Sequence, residues 1–250
     1  MPIYPSTVFI TGANRGIGLE FVKQLLGSKN PPNKLIASCR KPAEAKELNE
    51  LSSVNPAVHV LQFDVTDFDA IPKIVSDTER ILDGVGLNLL INNAGIIHRS
   101  PLGGVTLDEM RTEADINCIA PVLIAQAFVP LLRKAAEASD VPNMSCDKAA
   151  IVNITSKVGS IADNRGGGRY AYRASKAGLN AITKSLSIDL AKENILAVVL
   201  HPGWVQTSMG GPDALIDTVT CVQGLLNVMA TLDAQKSGTF WDYKGEQIPW

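Results

Sequence analysis

An α/β fold, built as one doubly wound domain whose seven-stranded, mainly parallel sheet is flanked by helices, is predicted by three observations. Short apolar runs alternate with longer amphipathic stretches, the runs are continuous rather than interrupted at every second residue, and 250 residues suffice for one substantial core. A strand covered on both faces needs apolar side chains on both, which continuous runs supply. An α/β domain often reaches about 250 residues as a unit, so 1–250 reads as one domain. The extra strand–helix units needed to close an eightfold barrel are missing.

In chain order the strands are TVFIT (7–11), KLIAS (34–38), VHVLQF (58–63), LNLLIN (87–92), AAIVNIT (149–155) and ILAVVL (195–200), with GTFWDYK (238–244) as a late seventh. Helices are expected over 17–28, 43–52, 68–82, 106–136, 172–192 and 213–231, leaving room for crossovers between parallel strands. The fourth could break or kink at Pro121 or Pro130, because proline lacks the amide donor and crowds the preceding turn. SKNPPNK (28–34) and ASDVPNMSCDK (138–148) read as surface connections, and the glycine-rich DNRGGGRY (163–170) as a flexible loop.

Composition excludes several classes of function. Lys plus Arg total 23 against 25 Asp plus Glu, a formal charge of −2 that offers no general attraction for nucleic acid. The most apolar stretch, from Ile116 to Leu132, is interrupted by Asn117, Pro121, Gln126 and Pro130, so it reads as a packed helix rather than a membrane span. MPIYPSTVFITG lacks a basic head and a long apolar run, which predicts no conventional secretion and a cytoplasmic location. Cys39, Cys118, Cys146 and Cys221 have neither disulfide-framework nor zinc-ligand spacing, and His59, His98 and His201 supply no ligand pair, so no metal is expected.

TVFITGANRGIGLEF places Thr11, Gly12, Asn14, Arg15, Gly16, Ile17 and Gly18 where the first strand turns into a helix. Glycines there permit a tight turn and let backbone donors approach a pyrophosphate; the Gly-x-x-x-Gly-x-Gly spacing is offset from the usual GxGxxG signature, but its place after an apolar strand points to a Rossmann-type dinucleotide site, the alternative being a structural turn. Gly12 would open the turn, Gly16 admit the phosphates and Gly18 ease helix packing. After the second strand the chain reads Ser38-Cys39-Arg40-Lys41, with positive charge where an acid would favour NAD. Arg40, with Arg15 approaching from the glycine turn, therefore predicts NADP (NADPH) over NAD, the competing reading being ordinary solvated charges. Asp64 and Val65 follow the third strand, where they could meet adenine. Asn92, Ala94 and Gly95 form a polar turn beside the cofactor, although Asn92 could instead stabilise strand ends.

Tyr172 and Lys176, four apart, share one helical face. Tyr172 can exchange a proton with a carbonyl or alcohol oxygen while Lys176 favours the phenolate and orients the nicotinamide ribose. Ser156, just beyond the fifth strand, can hold the substrate oxygen, and Asn117 can orient Lys176 directly or through water. These four form the candidate catalytic set.

Taken together, Thr11-Gly12-Ala13-Asn14-Arg15-Gly16-Ile17-Gly18, Asn92-Asn93-Ala94-Gly95, Asn117, Ser156, Tyr172-Arg173-Ala174-Ser175-Lys176 and Pro202-Gly203 before Thr207 closely resemble the short-chain dehydrogenase/reductase family over nearly the whole chain. That resemblance implies reacting roles for Asn117, Ser156, Tyr172 and Lys176, and cofactor contacts at Pro202, Gly203, Val205 and Thr207. VNITSKVGSI, DNRGGGRYAYRASKAGLN, HPGWVQTSMGG and the final IPW resemble its sniffer-like and C-factor-like carbonyl reductases. The implied activity is NADPH-dependent reduction of a small aldehyde, ketone or quinone, with a homodimer formed through helices 106–136 and 172–192. One departure is the longer separation of Ser156 from Tyr172, created by the glycine run. Residues 204–220 would cover the substrate, with Met209 and Trp204 as apolar contacts unless Trp204 packs in the core. An NAD(P)-dependent alcohol or steroid dehydrogenase, or a dinucleotide-responsive signalling protein without turnover, are the alternatives.

Overall fold

The apolar runs become strands in the computed structural model, which describes residues 3–250: β1 (Thr7–Thr11), β2 (Lys34–Cys39), β3 (Val58–Gln62), β4 (Leu89–Asn92), β5 (Ala150–Ile154), β6 (Leu196–His201) and β7 (Phe240–Asp242). Their order is β3-β2-β1-β4-β5-β6-β7 and every neighbouring pair is parallel. The strand order reverses between β1 and β4, and at such a switch the connections leave to opposite faces and open a crevice at the carboxyl ends.

The helices are α1 (Gly16–Leu26), α2 (Lys46–Val54), α3 (Ile71–Leu82), α4 (Leu107–Ala114), α5 (Ala120–Ala138), α6 (Tyr170–Asp189) and α7 (Thr218–Met229). Successive strand residues face opposite ways, so β1 divides its side chains between two cores. Val8 and Ile10 pack with Leu19, Val22 and Leu25 of α1 and Leu225 of α7. Phe9 faces the other core, with Ile124, Phe128 and Leu132 of α5. The Phe9 and Phe128 ring centroids lie 4.7 Å apart, tilted by 53°. Burying each such side chain contributes about 1.5–3 kcal/mol.

Three elements differ from expectation. The helix over 106–136 does not break at a proline: the helical run Leu107–Ala138 passes without interruption through Pro121 and Pro130. The irregularity lies earlier, in a π-helical turn over Asp115–Ile119. By length and composition the 32-residue run Leu107–Ala138 could cross a membrane; here Ile124, Phe128, Leu131 and Leu132 spend its apolar face on the core. The last helix starts at Thr218 because Asp217 accepts the Thr220 amide at 2.7 Å, which leaves 204–217 as a loop. The glycine-rich loop is pinned rather than free, since Arg173 donates to the Gly167 and Gly168 carbonyls and, at 2.9 Å, to that of Val158.

Gly18 is where α1 meets the preceding turn. A Cβ there would lie 2.3 Å from the Gly12 carbonyl oxygen and 2.6 Å from Asn93 Nδ2. Gly18→Ala is therefore expected to cost about 1–3 kcal/mol, read as a lowered urea midpoint at unchanged m-value. An unshifted midpoint would show that the contact relaxes freely.

Candidate active site

At the β1–α1 turn Gly12 and Gly16 adopt φ of +66° and +55°, the left-handed region that side chains resist. Arg15, at the N-cap of α1, makes no side-chain cap, so the first amides of this helix open uncapped into the crevice. Uncapped amides and the positive end of the helix dipole suit a phosphate. Thr11 works from behind this turn. Its Oγ1 accepts the amides of Asn93 at 3.0 Å and Ala94 at 3.1 Å, while Asn93 Nδ2 donates to the carbonyls of Thr11 and Gly12 at 3.0 and 3.1 Å. The carboxyl ends of β1 and β4 are stapled together.

The resulting cleft has a volume of about 410 Å³. Gly12, Asn14, Arg15, Gly16 and Ile17 line it, with Arg40, Asp64 and Val65 and with Ala94 and Gly95. Arg15 and Arg40 are exposed. Lys41 also reaches the cleft but is paired with Glu44 at 2.9 Å. Asp64 Oδ1 accepts from both the amide and the hydroxyl of Thr66, at 3.0 and 2.8 Å, which orders the turn after β3.

Tyr172 and Lys176 line the same cleft, one turn apart on α6 and 8% and 4% exposed. Lys176 Nζ donates to the Ile154 carbonyl at 2.9 Å and stands 5.9 Å from the centre of the Tyr172 ring. Burial pushes the Tyr172 phenol up to about 12, opposed by a hydrogen bond with Ser156. Burial also pulls Lys176 down to about 8, opposed by its charge interactions with Cys118 and Glu113 in their ionised forms. Ser156 lies two residues beyond the end of β5, and its hydroxyl accepts the Val158 amide at 3.4 Å.

Asn117 sits in the π turn, fully buried. It does not bond Lys176 directly. Its Oδ1 accepts the Ile96 amide at 2.9 Å, and its Nδ2 donates to the Ile96 carbonyl at 2.9 Å and to Ser175 Oγ at 3.1 Å. A Cβ on Gly95 would lie 3.0 Å from Asn117 Oδ1 and 3.7 Å from Lys176 Nζ, so both groups flank that glycine.

Pro202 and Thr207 line the cleft, as do Ser208 and Met209 of the loop before α7. Other expected contacts lie outside it. Asn92 is buried, its Nδ2 donating to Asn153 Oδ1 at 2.9 Å, and Asn93 takes its place in the wall. Gly203, at φ +87°, faces Ile216 and Tyr243, while Val205 is buried and bridges to Ile216. Trp204 is neither core nor cleft: it is 46% exposed, its indole N–H donating to the Gly210 carbonyl at 2.8 Å. Arg99 crosses to the same loop, donating to the Met209 carbonyl at 2.8 Å. Cys39, Phe63, Ile96, Ile116, Ile154 and Thr155 complete the cleft; their place beside strand ends was a usable signal for all but Ile116.

The geometry has counterparts in known proteins. The chain is similar to the carbonyl reductase Sniffer of D. melanogaster, at 42% identity and a TM-score of 0.97, covering 99% of this chain and 100% of that one. It is also similar to the NADPH-bound carbonyl reductase from chicken fatty liver, at 41% identity and a TM-score of 0.94, with the same coverage of 99% and 100%. C-signal of Myxococcus xanthus is 41% identical over 165 residues, which are 66% of this chain and 93% of that protein. The short chain dehydrogenase family matches residues 6–214, and with the seven-stranded Rossmann-type sheet this places the chain in the short-chain dehydrogenase/reductase family of oxidoreductases.

Proposed function

We propose that this protein reduces the carbonyl of a small aldehyde, ketone or quinone with NADPH. The observation that carries this reading is the meeting, in one cleft, of Tyr172 and Lys176 with the uncapped start of α1. The residues fit a phosphorylated dinucleotide. Left-handed Gly12 and Gly16 and the open amides suit its pyrophosphate, and Arg15 and Arg40 offer charge to the extra ribose phosphate. The likeness to the NADPH-bound chicken enzyme supports the same choice.

Bound NADPH supplies a hydride for the carbonyl carbon. Tyr172 donates its phenolic proton to the substrate oxygen, breaking its O–H bond as the alcohol O–H forms. Ser156 holds that oxygen by hydrogen bonding. Lys176, when charged, lowers the energy of the phenolate left on Tyr172. Asn117 is a positioning residue that fixes the Ile96 wall and Ser175. Ser208 and Met209 approach from the loop before α7 and bound the space for the substrate.

A signalling role without turnover draws support from the likeness to C-signal. NADPH consumption with a carbonyl substrate separates the two readings, because signalling alone needs no hydride transfer.

Tyr172→Phe is expected to lower kcat/KM for carbonyl reduction by at least about 10²-fold, the low end of general-acid effects. NADPH affinity, measured by calorimetry, should change little. Retention of full activity by this variant would remove Tyr172 as the proton donor.

Arg40→Asp places a carboxylate where the extra phosphate is expected. It should raise KM for NADPH by about tenfold or more while sparing NADH, given the worth of a charge-assisted hydrogen bond. Equal effects on the two cofactors would sink the assignment of Arg40.

Lys176 is also a stability liability. Its pKa drops from 10.5 to about 8 on folding, so the full penalty is present below about 8 and is relieved as pH rises toward 10.5. Lys176→Met removes that penalty but leaves the Ile154 carbonyl without its donor, a pH-independent cost of about 1–3 kcal/mol, so its stability relative to the parent should be better at neutral pH than near pH 10.5 by up to about 3 kcal/mol. Chemical denaturation across the window checks the sign; a loss at neutral pH with no pH trend would contradict it.

A further inference from the structure

The glycine run that lengthens the chain between Ser156 and Tyr172 has no part in the scheme above. Gly167 and Gly168 adopt φ of +59° and +64°, and Arg169 after them, at +51°, is left-handed as well. A Cβ on Gly167 or Gly168 would meet nothing within 4 Å, so these positions need glycine for the backbone conformation and not for space. Their carbonyls converge on one side chain. Arg173 Nε donates to the Gly167 oxygen at 3.1 Å and to the Gly168 oxygen at 3.0 Å, Nη2 donates to Gly167 at 3.0 Å, and Nη1 donates to the Val158 carbonyl at 2.9 Å.

We propose that Arg173 is a positioning residue: its guanidinium clasps the loop over 157–168 to α6 and so holds Ser156 where it and Tyr172 meet the same substrate oxygen. The proposal rests on reading Ser156 and Tyr172 as the groups that hold and protonate that oxygen.

Val158 is the link between the two. Its carbonyl accepts from Arg173, and its amide donates to Ser156 Oγ at 3.4 Å. The Gly159 amide donates to the Ser156 carbonyl at 2.8 Å, and a Cβ on Gly159 would lie 2.9 Å from the Lys176 carbonyl carbon, so the turn after Ser156 rests directly on α6. Arg173 follows Tyr172 in the chain, so a short path through Val158 joins the two side chains that act on the oxygen. The place is otherwise unfavourable for a cation. Positive charge near the start of a helix opposes the helix dipole, and Arg173 has no carboxylate partner among the described residues. Three carbonyl oxygens answer that charge together, which suits the fixed fork of a guanidinium and not the single centre of a lysine ammonium. Lys157 pairs with Asp163 at 3.3 Å and Ser160 Oγ donates to the Pro249 carbonyl at 2.5 Å, but these ties run within the loop and to the segment after β7, not to α6.

The test is a double-mutant cycle in the full chain. Arg173→Gln should lower kcat for carbonyl reduction by about tenfold or more, as for a misplaced reacting group, while KM for NADPH changes by less than about twofold. In a Ser156→Ala background the same substitution should cost less than about twofold, because the group it positions is gone. An unchanged kcat, or equal losses in the two backgrounds, overturns the proposal, since a general loss of structure lowers both alike. A second readout needs no turnover: amide hydrogen exchange over 157–169, followed by mass spectrometry, should quicken in Arg173→Gln while β1 and α1 exchange as in the parent. Unaltered exchange in the loop also overturns the proposal. Should Arg173→Gln fail to fold, Arg173→Lys, which keeps the charge and loses the fork, carries both readouts. Absence of turnover by the parent on every carbonyl substrate would instead count against the reductase reading, while exchange would still decide whether Arg173 holds the loop.

Discussion

Three buried hydrogen bonds fix the register of α6 on β5: Lys176 Nζ to the Ile154 carbonyl at 2.9 Å, Thr155 Oγ1 to Asn180 Oδ1 at 2.7 Å, and Asn153 Nδ2 to Thr183 Oγ1 at 2.8 Å. Residues 176, 180 and 183 follow the spacing of one helical face, so a single stripe meets a single strand. Leaving one buried partner unpaired costs about 1–3 kcal/mol, and a slip of one helical turn, about 5.4 Å, would break all three bonds. Asn92 extends the ladder to β4 through Asn153. Tyr172 is therefore placed by bonds made elsewhere, one turn before Lys176. Hydrophobic burial alone would tolerate neighbouring registers; these directional bonds do not.

The opposite wall depends on a helix irregularity. The π turn over Asp115–Ile119 widens the backbone between α4 and α5 and puts Asn117 in the interior. From there one carboxamide satisfies both backbone groups of Ile96 and reaches Ser175, tying the loop after β4 to α6. Such turns leave regular pairing incomplete and occur frequently at functional sites. Here the widened turn joins two walls that the sheet itself keeps apart.

Much of this arrangement is legible in the residues, for reasons that differ by element. Buried parallel strands read as continuous apolar runs, and all seven lie where those runs fall, with neither end displaced by more than two residues. Gly12, Gly16 and Gly18 are legible because one conformation or one close approach admits little else there. Tyr172 and Lys176 share a face by helical spacing alone. The π turn is hidden because Asp-Ile-Asn-Cys-Ile carries no local mark of it, whereas Pro121 and Pro130 mark breaks that their positions do not produce. Asn92 and Asn93 are chemically identical, and only the pleat, which turns one inward and the next outward, decides which meets the cleft. Glu113 reads as an ordinary charge on an amphipathic helix until tertiary packing buries it.

The same burial that makes Lys176 costly gives it its leverage in the proposed reaction. In the resting cleft, desolvation favours the neutral form of each partner, raising Tyr172 to about 12 and lowering Lys176 to about 8. A phenolate formed alone would carry the whole cost of an isolated interior charge. Formed beside an ammonium, it completes an ion pair whose attraction is strong because little water intervenes. Lys176 is held for that purpose by the Ile154 carbonyl, which accepts its hydrogen bond without neutralising its charge. A carboxylate bonded at the same place would cancel the charge Tyr172 needs when it gives up its proton.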